Sequence, residues 1–111
     1  MPLSRASQLK ALHALFDAPL MLGLLTGDRE MAVAGYERQP VTMRVDEAAL
    51  KARNASLVRF PPFRAAATVD GWLLLGSDGA EVCRHPIAAK TFDAYDEAVW
   101  RAGDLAVAIG A

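Results

Sequence analysis

The chain has 111 residues, 53% of them apolar and 23% charged, with a formal net charge of −1. That length suits a single domain able to bury roughly two thirds of its unfolded surface, and the composition excludes a disordered tail and a repeat scaffold. The charge is unevenly placed, with nine Lys/Arg against six Asp/Glu in residues 1–64 and three against seven in residues 65–111, a split that can help identical subunits meet head to tail.

The first element predicted is a helix over residues 5–16, within an N-terminal helical segment, 1–18, of one domain spanning 1–111. Leu9, Leu12 and Phe16 recur at helical spacing and Leu15 widens the apolar stripe. Ser4 supplies an N-cap, and Pro19 follows the expected end. The apolar run of residues 20–26, bounded by Pro19 and Gly27, reads as a largely buried strand and is far short of the ~20 residues that span a bilayer. The start of the chain lacks the continuous apolar core of a signal peptide, so a cytoplasmic site of synthesis is expected.

Residues 36–45 alternate imperfectly, and Pro40 implies an edge or a bulge because it has no N–H for a ladder. Residues 46–54 read as a polar connection in which Asp46 accepts from the backbone of Ala48 or Ala49. A strand over residues 55–60 stops at Pro61-Pro62. Residues 69–76 and 81–87, joined by Ser77-Asp78-Gly79, make the clearest hairpin. An acidic turn at residues 93–96, a short strand over 97–101, and a turn at Ala102-Gly103-Asp104 leading into a strand over 105–109 complete the chain. About seven short strands with Gly, Pro and Asp turns predict a mainly β fold, a small antiparallel β-sandwich or jelly-roll-like domain with a short N-terminal helix.

The chemistry-bearing residues are sparse. Cys83 is the only cysteine, which rules out an internal disulfide and an all-cysteine metal cluster. It stands two residues from His85, one of two histidines, and would share a strand face with it, but two ligands are too few for a structural zinc. The carboxylates of residues 93–97 lack the glycine spacing of a calcium loop, and Gly23, Gly27 and Gly35 lack that of a phosphate loop. Arg38, Arg44, Lys51, Arg53, Arg59 and Arg64 could line a phosphate-contacting face, although the slightly negative total charge weighs against nucleic acid as a partner. Trp72 reads as core; Trp100 reads as core or interface. The residues imply no catalytic centre, no cofactor and no metal.

Several segments together resemble a family of small virion proteins of tailed phages and prophages, described as tail or tail-fibre proteins. They are Leu22-Gly23-Leu24-Leu25-Thr26, Gly35-Tyr36-Glu37-Arg38-Gln39-Pro40-Val41 (similar to a Gly-Tyr-x-Arg-x-x-Val element), Phe60-Pro61, residues 69–75, and Ala102-Gly103-Asp104 with its following strand. The chain departs from the family in having a short connection between the first two strands and Gly71-Trp72-Leu73-Leu74 in place of a His-containing strand. The resemblance implies a structural subunit of the tail or head-tail region, assembled in the bacterial cytoplasm into a virion. Its implied partners are other phage structural proteins and further copies of itself, with no membrane involved. Tyr36, Arg38 and Trp100 are the expected interface residues, aromatic area anchoring contacts and the arginine directing hydrogen bonds. A small carbohydrate- or ligand-binding β-module, with Tyr36, Trp72 or Trp100 lining a concave pocket, is the competing expectation.

Overall fold

The computed structural model describes residues 4–108. Helix α1, Arg5–Phe16, begins where Ser4 is extended and its hydroxyl accepts from the Ser7 N–H at 3.2 Å. Such a cap satisfies one of the N–H groups that the first helical turn leaves without partners. Leu12 and Phe16, one turn apart, are buried, while Leu15 stays exposed. The helix lies against the second sheet, and Arg5 donates to the Glu47 carbonyl at 2.6 Å.

The larger sheet is built on β1, Leu20–Thr26, which pairs antiparallel with β7, Ala67–Leu75. Strand β7 continues through the Ser77-Asp78-Gly79 turn into β8, Glu81–Phe92, which forms the end of the sheet. The turn closes because Gly79 sits at φ +83° and the Asp78 carboxylate accepts from Ala80 N–H. Two short strands share the other edge of β1: β2, Arg29–Glu30, opposite Leu25 and Thr26, and β3, Gln39–Val41, opposite Leu20 to Leu22. Gly23 and Leu24 lie in the gap between them. Opposite Asp70 of β7, the three residues Ile87, Ala88 and Ala89 of β8 bulge out of register.

The second sheet has the order β10–β5–β4, from β4, Met43–Asp46, β5, Lys51–Asn54, and β10, Ala106–Ala108. A two-stranded ribbon joins β6, Val58–Arg59, to β9, Val99–Trp100. Alternation sends Leu22, Leu24, Trp72 and Leu74 into one core with Leu12, Phe16, Phe60, Phe63, Trp100 and Leu105. Leu25, Leu73 and Leu75, on the other face, form a smaller cluster with Met21. Fully burying one such side chain stabilises by about 1.5–3 kcal/mol, so the main cluster dominates the fold.

Asn54 is the one buried polar side chain among the described residues. Its amide NH₂ donates to the carbonyls of Ser56 and Arg101, and its side-chain oxygen accepts from Leu105 N–H. Its backbone exchanges bonds with Leu105 and Gly103, so one residue ties the end of β5 to the turn before β10.

The protein is thus mainly β, with antiparallel sheets packed together as a small β-sandwich and one short N-terminal helix, as the sequence predicts. Individual boundaries differ. The strand expected over 36–45 begins only at Gln39 and breaks at Thr42, where the chain passes from the first sheet to the second. The connection expected over 46–54 holds the predicted Asp46 turn, accepting from Ala49, but its second half is β5. The strand expected over 55–60 contracts to Val58–Arg59, and β2 is additional. Ile109, expected in the last strand, and residues 1–3 of the N-terminal segment lie outside the described residues.

Candidate functional site

Tyr36 and Arg38 leave a tight turn whose geometry depends on Gly35, at φ +89°, where an added Cβ would come 2.8 Å from the Pro62 carbonyl oxygen. The turn sends the Tyr36 hydroxyl into the gap between β2 and β3. There it accepts from Leu24 N–H at 3.1 Å and donates to Glu30 Oε2 at 2.5 Å. Leu24's carbonyl accepts from Met31 N–H at 2.9 Å, so both polar groups of this residue are satisfied although neither β2 nor β3 reaches it. Arg38 grips the same carboxylate with two parallel bonds, Nε to Oε2 at 2.9 Å and Nη2 to Oε1 at 2.7 Å.

This cluster fits only because residue 23 has no side chain. A Cβ there would lie 2.7 Å from Leu73 Cδ2 and 3.0 Å from both Glu30 Oε2 and Tyr36 Oη. The Arg38 guanidinium holds the Glu30 carboxyl below its usual range against the opposing effect of burial, and the Tyr36 hydroxyl adds to the lowering. Burial, reinforced by Glu30, raises the Tyr36 phenol well above its ordinary value, so the phenol keeps its proton.

Trp100 reaches this cluster only indirectly. Tyr36 stacks on Phe60 at 6.1 Å between ring centroids, and Phe60 meets Trp100 edge-on at 5.6 Å. Trp100 itself is 6% exposed and lies in the core. Trp72 is buried too, whereas Trp100, although 6% exposed, lines an open groove of about 340 Å³ with residues 87–90 and Asp104. Of the three expected interface residues, only Arg38 presents substantial surface, its side chain being 41% exposed.

Cys83 and His85 do share a face of β8, opposite Leu74 and Trp72, and both line a groove of about 500 Å³ with Lys51 and residues 106–108. His85 lies against Trp72, 5.3 Å between centroids. Burial, with Glu81 nearby, raises the Cys83 thiol, whereas a nucleophilic cysteine needs the opposite shift. Among the described residues no three His, Cys, Asp or Glu side chains are grouped to hold a metal, and no helix is long and apolar enough to cross a membrane.

The six basic residues singled out in the sequence do not form one face. Arg38 is held by Glu30, Arg59 lies 3.7 Å from Glu97, and Arg64 lines a groove with Pro61, Pro62 and Tyr95. Arg44, Lys51 and Arg53 share the face of the β4–β5 pair, with Arg44 directly opposite Arg53. Residues 93–96 form the expected acidic turn, where the Asp96 carboxylate accepts from Asp93 N–H at 2.9 Å. Sequence reasoning passed over Tyr95 at its apex: this tyrosine is 70% exposed, with φ +69°. The available signal was an aromatic residue between two aspartates in a turn.

No protein-family model, no curated protein and no solved structure matches this chain.

Proposed function

We propose that the chain is a structural subunit of a phage or phage-derived particle, in the tail or head-tail region, and that it works by associating with copies of itself and with other particle proteins. The observation that carries this reading is the meeting, in space, of the segments on which the phage resemblance rests. Gly23 of the first segment, Tyr36 and Arg38 of the second, Phe60 of the third and Leu73 of the fourth all belong to the Tyr36–Glu30 cluster and its immediate packing. The resemblance therefore rests on residues that close the edge of β1 and keep the domain rigid. A rigid domain suits repeated association, because it loses little conformational freedom at each contact and small interfaces add up when arrayed.

The reading is tested by locating the protein in purified native particles by cryo-electron microscopy, with mass spectrometry for copy number. A defined, repeated position in the tail or head-tail region is the expected result. Its absence from assembled particles would sink the proposal.

A further inference from the structure

Arg44 and Arg53 face each other across the β4–β5 ladder and line an open groove of about 450 Å³ with Val45, Ala55 and Gly103. Like charges directly opposite each other in an antiparallel pair are destabilising unless an anion lies between them. Among the described residues Arg44 has no hydrogen bond or ion pair, and Arg53 reaches only the Gly103 carbonyl, at 3.5 Å. Asp46 and Glu47 also line the groove, where Asp46 Oδ1 accepts from Ala49 N–H and Glu47 faces His13 at 3.6 Å, and neither is bonded to Arg44 or Arg53 among the described residues. Both guanidiniums therefore have donors to spare.

The same chain carries a matching projection. In the turn of residues 93–97, the Asp93 carboxylate and the Tyr95 hydroxyl have no partner among the described residues, and Tyr95 stands out into solvent. Tyr95 holds a left-handed backbone conformation that costs a non-glycine residue energy, as recognition turns often do. The two features lie at opposite ends of one ribbon. From the Val58–Trp100 pair, the chains run one way to the Asn54–Gly103 contact beside the groove, and the other way to the bond from Tyr95 N–H to the Phe63 carbonyl. Among the described residues no hydrogen bond or ion pair joins them.

We propose that a second copy of this chain seats its turn of residues 93–97 in the Arg44–Arg53 groove, Tyr95 entering first, and Asp93 and the remaining oxygen of Asp96, whose Oδ2 accepts from Asp93 N–H, meeting the two guanidiniums. This rests on the assembly reading above and names its contact. Tyrosine and arginine are the residue types that most often dominate interface energy, and the pairing places acid on base. Because groove and projection are different surfaces, the contact is head to tail, and it builds rings or open stacks instead of closed two-fold dimers.

Sedimentation velocity across a concentration series, at low and at high salt, tests it. Wild type is expected to self-associate, at least 10-fold more weakly in high salt. The charge reversals R44E/R53E and D93K/D96K are each expected to lose association by at least 10-fold, and mixing the two is expected to restore it. Y95A, which leaves every charge in place, is expected to lose at least 10-fold as well. Circular dichroism confirms that each variant is folded, and R44A/R53A replaces any reversal that is not. Wild type that stays monomeric up to millimolar concentration overturns the proposal, as does a loss that mixing fails to restore. Wild-type binding to duplex DNA that R44E/R53E abolishes and D93K/D96K retains assigns the groove to nucleic acid and overturns it too. Incorporation of folded R44E/R53E into particles at wild-type copy number overturns this contact while the particle role stands. Absence of wild type from particles removes the particle role whatever sedimentation shows.

Discussion

A single methyl group at residue 23 probes the closure of the β1 edge. Gly23→Ala forces Leu73, Glu30 or Tyr36 to move, and all three are held by packing or by hydrogen bonds. Overfilling of this kind costs about 1–3 kcal/mol, which urea denaturation will register as a lower midpoint with an unchanged slope. Glu30 adds a pH dependence of known sign. Its folded pKa is lowered, so its stabilising contribution is complete above the ordinary carboxyl value of 4.5 and is lost as pH falls through the folded value. Between neutral pH and pH 3, wild type is therefore expected to lose more stability than Glu30→Gln, in parallel denaturant titrations. Tyr36 and Arg38 stood out in the sequence, but as surface contacts. Their common partner did not, because Glu30 lies in a two-residue strand and nothing local links it to residues six and eight positions away.

Elements with local signals were legible, and those made by distant pairing were not. Helix α1 matches its expected bounds because apolar spacing and the Ser4 cap are both local. The β7–β8 hairpin is equally plain, since its turn residues sit between two strand-like runs. Strand β5, Lys-Ala-Arg-Asn, has no β-branched or aromatic residue. It is extended because β4 pairs with it on one side and β10, more than fifty residues later, on the other. Asn54 closes that arrangement, so its replacement is expected to be costly in a specific order. Asn54→Asp puts a carboxylate where two carbonyls, of Ser56 and Arg101, need donors, whereas Asn54→Ala leaves them and the Leu105 N–H unmet without adding a charge. The first is expected to cost about 3 kcal/mol or more and to recover partly in acid, and the second to cost about 1–3 kcal/mol, both read by thermal and urea unfolding.

The whole molecule is organised around one interior shared by helix, sheets and ribbon, and both tryptophans belong to it. That interior was foreseeable from the apolar residues, whereas the surface was not. The groove depends on which strands become neighbours, and the projection depends on a backbone conformation that tyrosine seldom adopts. The exposed margin of β8 has a separate consequence. A strand ending a sheet invites any extended peptide to zip alongside, and in a crowded lattice of identical chains that route leads to insoluble fibres. Here Pro86 lacks the amide that such zipping requires, the excursion at Ile87, Ala88 and Ala89 breaks the straight line, and Lys90 places a cation along it, while Arg84 is neutralised by Asp28 and Glu81. Pro86→Val is expected to keep the native circular dichroism yet raise thioflavin fluorescence on prolonged incubation, whereas wild type stays clear. A sheet edge guarded in this way resists strand-to-strand addition even when the protein is concentrated.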